Sequence, residues 1–167
     1  MDPIEHELFT DDIHPIDIVE TLAEYNEWDF DRVGDNQIAL TVEGAWRSYA
    51  LSLAWCGGDE VLRLICTFEL DPPEGREPEL LKLLDLANDR IWTGAFTLWR
   101  ERKMMVYRYG LTLHGTVAPA PRQVDYMMQA ALTACERFYP AFQLVCWGNR
   151  PAEEALGIAI AEAYGRA

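Results

Sequence analysis

Residues 46–70, WRSYALSLAWCGGDEVLRLICTFEL, constrain this chain more than any other stretch, because they accept only one strand register. With a turn at Gly58-Asp59, Tyr49, Leu51, Leu53 and Trp55 fall opposite Phe68, Cys66, Leu64 and Leu62, all apolar and all on one side. Ser48, Ala50, Ser52 and Ala54 then fall opposite Glu69, Thr67, Ile65 and Arg63. Side chains alternate across a strand, so a slip of one residue would turn every apolar group to water. One face is therefore core and the other is small and semi-polar, and a two-residue hairpin turn is expected.

The flanking sequence extends this sheet. Ile38, Leu40 and Val42 alternate with Ala39, Thr41 and Glu43 after the turn Gly34-Asp35-Asn36, and a short strand around Trp28 to Val33 precedes it. GAFTLWRERKMMVYRYGLTL reads as a second hairpin turning near Glu101–Lys103. DPPEGREP and HGTVAPAP read as loops. Pro15, Pro78, Pro121 and Pro151 each stand just ahead of an apolar-periodic run, where a first helical residue has no partner for its N–H. The first run, to Asn26, puts Ile18, Leu22 and Tyr25 on one stripe, and the second, to Ile91, puts Leu80, Leu84, Ala87 and Ile91 on another. The third places Val124, Met128, Ala131, Cys135, Phe138, Phe142 and Val145 at alternating steps of 4 and 3. That seam serves either core packing or a contact between two protomers, and Pro140 inside it should kink or split the helix. The last run closes the chain as a short Ala-rich helix to Tyr164. The expected fold is α+β: an antiparallel sheet in two hairpin blocks separated by a helix, with N- and C-terminal helices.

Composition narrows the function classes. At 167 residues, half of them hydrophobic, the chain fits one domain over 14–167, preceded by an acidic, mobile N-terminus over 1–13. No apolar run approaches the ~20 residues that cross a bilayer, and no secretory signal is visible, so no membrane partner and a cytoplasmic location are expected. The net charge of −14 argues against nucleic acid, which is held by clustered Lys and Arg. Residues 1–31 hold eleven acids and no Lys or Arg, whereas 94–124 hold five cations against Glu101. These are either two ordinary solvated surfaces or regions that attract each other, within a protomer or across a dimer.

No catalytic constellation emerges. Cys56, Cys66, Cys135 and Cys146 have no zinc-ligand spacing; Cys135 and Cys146 lie ~16 Å apart on one helix, too far for a disulfide, and buried free thiols are expected. His6, His14 and His114 form no metal-binding pair, and neither Ser48 nor Ser52 sits in a nucleophile elbow. Asp29-x-Asp31 opens like a calcium loop, but Val33 and Leu40 occupy positions that require oxygen. No cofactor or metal is expected. The aromatic content is more suggestive. Trp92, Trp99, Arg100, Arg102, Lys103 and Tyr107 have the composition of an interface hot spot, although Trp99 and Tyr107 are equally at home packed within their hairpin.

The segments EGAWRSYALSLAW, LRLICTFEL, PELLKLLDLANDRIWTGAF and LWRERKMMVYR resemble the bacterial YbjN-like family, labelled sensory-transduction regulators. The resemblance implies a type III secretion chaperone-like fold, with helices packed on an antiparallel sheet, in a small acidic homodimer that holds a segment of a client protein. It carries no catalytic residues into this chain. The expectation is therefore a non-enzymatic chaperone-like or regulatory protein that binds a partner segment along a groove or at a sheet edge. Changing Arg100, Arg102 and Lys103 to Glu should then reduce capture of an acidic partner. The competing expectations are a small-molecule sensor or enzyme with a pocket between sheet and C-terminal helices, or a subunit whose only partner is itself.

Overall fold

Helix α1 (Pro15–Tyr25) leads into four antiparallel strands, β1 (Asp29–Gly34), β2 (Gln37–Glu43), β3 (Ser48–Cys56) and β4 (Val61–Glu69). Helix α2 (Glu77–Asn88) follows, then β5 (Ala95–Trp99), a 3₁₀ turn (Arg100–Arg102), β6 (Met104–Thr112), α3 (Pro121–Cys146) and α4 (Ala152–Gly165). This computed structural model describes residues 13–114 and 120–165. The acidic stretch at 1–12 and the middle of the 114–121 linker lie outside them. The six strands form one sheet in the order β1-β2-β3-β4-β6-β5, so the chain leaves the sheet after β4 and returns to add β5 at the outer edge.

The β3–β4 register is the expected one, with Leu51 opposite Cys66, Leu53 opposite Leu64 and Trp55 opposite Leu62. Its turn is not. Pairing stops at Cys56 and Val61, the Asp59 N–H donates to the Cys56 carbonyl, and the left-handed residue is Glu60 at φ 54° rather than a glycine. A four-residue loop preserves the register while closing it differently.

One face of the sheet is dry. Ile38, Leu40, Tyr49, Leu51, Leu64, Cys66, Phe68, Met105 and Tyr107 join a single hydrophobic cluster with the stripes of all four helices. Helix α1 packs on β1, β2 and β3, α3 packs on β4 and β6, and α4 lies outside them against α3 and α2. The α1 stripe differs from the expected one: Ile16, Ile18, Val19 and Ala23 are buried, Leu22 only partly, and Tyr25 is exposed. All seven residues of the α3 seam are buried within this one chain, so the seam is not shared between protomers. Nor does Pro140 split the helix, which is continuous from Pro121 to Cys146.

Polar side chains set the helix ends. His14 Nδ1 accepts the Ile16 N–H at 3.1 Å, which leaves Nε2 to donate to Asn36 Oδ1 at 2.8 Å and ties α1 to the β1–β2 turn. Gln123 Oε1 accepts the Ala120 N–H at the start of α3. The Arg76 guanidinium donates to the carbonyls of Val145 (2.9 Å) and Arg150 (2.8 Å), and Glu79 accepts the Ala152 N–H at 2.8 Å. The start of α2 thus clamps the end of α3 to the start of α4.

Candidate functional site

The six residues singled out in the sequence do not form one patch. Trp99 ends β5, and Arg100, Arg102 and Lys103 make the tight turn into β6. There the cations are already engaged: Arg100 with Glu77, Lys103 Nζ 3.4 Å from Asp71, and the Arg102 guanidinium 5.6 Å above the Trp99 ring. The described acids before residue 32 are not their partners; Asp17 and Glu20 instead hold Arg32 at 2.8 and 3.0 Å. Among the described residues, then, the acidic and basic regions do not pair within the chain. Trp92 lies beyond the far end of β5, about the length of that strand (~17 Å) from the turn. Tyr107 is fully buried and faces the core, so it touches no partner directly.

Tyr107 acts on the site from below. Its hydroxyl donates to the Thr93 carbonyl at 2.7 Å, and Gly94, at φ 75°, lies so close to the ring that a Cβ would fall 2.4 Å from the phenol oxygen. Burial pushes the Tyr107 pKa up to about 12. Asn88 fixes the other side of the loop, with its amide accepting the Phe96 N–H at 2.8 Å and donating to the Phe96 carbonyl at 3.0 Å. That pair also blocks the free edge of β5 against an added strand.

The connection between α2 and β5 is thereby held at both ends, and yet it presents Trp92 with 98% of its surface in water. A fully exposed indole on a pinned loop forgoes a burial worth roughly 2–3 kcal/mol. Beside it, a cleft of about 400 Å³ opens between this loop and α3, lined by Arg90, Tyr126, Gln129 and Arg137 above Phe138. Tyr126 is 60% exposed. Neither Arg90 nor Arg137 has an acidic partner among the described residues, and the Arg137 guanidinium rests 5.2 Å above the Phe138 ring. Arginine, tryptophan and tyrosine together suit a partner that is acidic and carries an apolar side chain. Sequence proximity found Trp92 but missed Arg90, Tyr126 and Arg137, since only the fold brings α3 to that loop.

The second surface is the other face of the sheet, which carries no helix among the described residues. A depression of about 650 Å³ crosses β4, β6 and β5 there, lined by Arg63, Ile65, Thr97, Trp99, Arg108 and Gly110. Arg63 pairs with Asp59, whereas Arg108 has no acidic partner among the described residues.

The described buried polar groups lie at separate points of the core. Glu136 on α3 reaches the β2–β3 turn, where its Oε2 accepts the Ala45 N–H at 3.1 Å; Gly44 permits the approach, because a Cβ there would meet Glu136 Oε1. The Tyr49 hydroxyl is buried beside this carboxylate without a well-directed hydrogen bond, and burial followed by the neighbouring charge drives its pKa far up. Cys135 donates to Cys66 across 3.6 Å between β4 and α3. That contact, and then burial, raise the Cys135 pKa, while burial raises Cys146 to about 11. Thiols and phenols held protonated are poor nucleophiles. Among the described residues no group of three His, Cys, Asp or Glu is placed to hold a metal ion, and no helix is long and apolar enough to cross a membrane.

Comparison with known proteins adds a family. The family model for YbjN, described as "Putative bacterial sensory transduction regulator", matches residues 15–144. Among solved structures, the fold is similar to that of YbjN from E. coli, described as "a putative transcription regulator". The two share 12% identity and a TM-score of 0.51, over 95% of this chain and 96% of that one. At that identity the likeness is one of fold. No curated protein sequence matches this one.

Proposed function

Because this chain belongs to the YbjN family, we propose that it is a non-enzymatic regulatory or chaperone-like protein that binds a segment of a partner protein, as a homodimer in the cytoplasm. The observation that carries this reading is Trp92, held fully exposed by a loop that Asn88 and Tyr107 pin in place. An anchor already ordered loses little conformational freedom when a partner covers it. Arg90 and Arg137 would draw an acidic segment into the cleft, and Trp92 and Tyr126 would cover its apolar side chain. The E. coli relative is described as a transcription regulator. With a net charge of −14, an analogous role in this chain would run through a protein partner rather than through direct contact with DNA.

The test compares affinity capture from the native cell by the wild type, a Trp92→Ala variant and an Arg90→Glu/Arg137→Glu variant, quantified by mass spectrometry. Proteins retained by the wild type should fall at least about tenfold with either variant. An Arg100→Glu/Arg102→Glu/Lys103→Glu variant separates the two surfaces. Loss confined to that triple variant would move the contact to the β5–β6 turn, and identical profiles throughout would reject the proposal.

A second reading is supported by the same cleft, since about 400 Å³ with two guanidiniums that have no described acidic partner also suits a small anionic ligand. A thermal-shift screen against nucleotides and organic acids decides it. Saturable stabilisation that Arg137→Gln removes would favour a sensor, and the protein-segment reading expects none.

A further inference from the structure

A segment with the chemistry that the Trp92 cleft suits is present in this chain. Residues 1–12, MDPIEHELFTDD, lie outside the described residues and carry Asp2, Glu5, Glu7, Asp11 and Asp12 with no Lys or Arg. Ile4, Leu8 and Phe9 stand among those acids. The cleft offers the complement: Arg90 and Arg137 for the carboxylates, Trp92 and Tyr126 for the apolar side chains. No acid lines it. Asp89 and Asp125 are close in sequence but are not among its lining residues, and the Glu136 carboxylate turns away to the Ala45 N–H.

The segment also starts within reach. His14 binds Asn36, next to Gln37 at the start of β2. From Gln37 the paired row runs through Ala54 and Arg63 to Gly110 on β6. Strand β5 begins at Ala95, opposite Arg108, so the loop before it lies towards Gly110. The entrance to α1 and the Trp92 loop are therefore at one end of the sheet, four strand spacings or about 19 Å apart. Twelve extended residues span ~40 Å. Between the two points α3 begins, with Arg122 exposed and no acid in its first turn, so the way across is electropositive. We infer that residues 1–12 dock in the Trp92 cleft of their own chain and compete there with the partner segment.

This rests on the proposed reading of the cleft and adds its regulation. A segment on the same chain acts at an effective concentration of ~1 mM, so an intrinsic Kd of ~0.1 mM fills the cleft about nine-tenths of the time and weakens a competitor about tenfold. The bare face of the sheet, with Arg108 in its depression, is the rival seat. It lies on the opposite side from α1, however, and its Arg63 already pairs with Asp59.

The test places a benzophenone amino acid at position 9 of the purified, dilute, full-length chain and maps the photoproducts by mass spectrometry. Intramolecular products at Trp92, Tyr126 or the α3 residues around Arg137 are expected, and Arg90→Glu/Arg137→Glu should reduce them about tenfold. Products on β4 and β6 around Arg108, products between chains only, or none at all would overturn the inference, as would products indifferent to the double reversal. In the cell, Asp2→Asn/Glu5→Gln/Glu7→Gln/Asp11→Asn/Asp12→Asn should raise Trp92-dependent capture several-fold, and unchanged capture would contradict competition. The two ideas fail separately. Trp92-dependent capture without the intramolecular product removes this inference alone, whereas the product with capture indifferent to Trp92→Ala leaves the segment seated and removes the partner reading.

Discussion

Tyr107 illustrates how a residue can serve a site without touching what binds there. The sequence placed it among contact residues because it lies in the same hairpin as Trp99. Alternation across β6 instead turns it into the core, where its hydroxyl holds the Thr93 carbonyl beneath Trp92. Its folded pKa of about 12 exceeds the ordinary 10.0 because burial disfavours the phenolate. The sign follows: the unfolded chain ionises first, so the contribution to stability is complete below pH ~10 and declines as pH rises towards ~12. Denaturant midpoints measured across that window should fall more steeply for the wild type than for Tyr107→Phe. Equal slopes would mean that the phenol is not buried as described. Tyr25 offers the contrast, since it is 84% exposed at the end of α1 and lines neither the Trp92 cleft nor the depression on the sheet. Exposure alone does not make an anchor.

Among the elements, strands were legible where one face had to be dry. The β3–β4 pairing followed from residues such as Leu51 and Cys66, for which any other register would expose the apolar set. The turn between them was not legible, because Gly57-Gly58 offered flexibility that the chain did not use, and Glu60 took the left-handed position instead. The α1 stripe was misjudged for a related reason: small and β-branched residues, Val19 and Ala23, face the sheet, while the larger Tyr25 projects past it. The α3 seam was read correctly as apolar, but its destination could not be read from spacing, which is the same for a core and for a dimer. What no local pattern reveals is a polar clamp between distant segments. Asn88 closing the edge of β5 is one, and Arg76 holding α3 to α4 is another. Replacing Arg76 by Ala leaves the Val145 and Arg150 carbonyls without their donor, which should cost about 1.5–3 kcal/mol for a charged donor. It should also raise hydrogen exchange in the α3–α4 connection before the sheet. A uniform rise across the protein would show that the clamp is not local.

For the whole molecule, the helical side leaves an aromatic–arginine cleft open at the loop before β5. The buried ionisable groups, Tyr49 and Cys135 among them, are held protonated inside a packed core. The central claim is that a partner protein docks on Trp92. Photo-crosslinking in the native cell tests it most directly, with a benzophenone amino acid placed at position 92 and, for comparison, at position 25, which is also exposed. Docking predicts one or a few discrete crosslinked products at position 92 that are absent at position 25. Indistinguishable products from the two positions, or none from either, would contradict it.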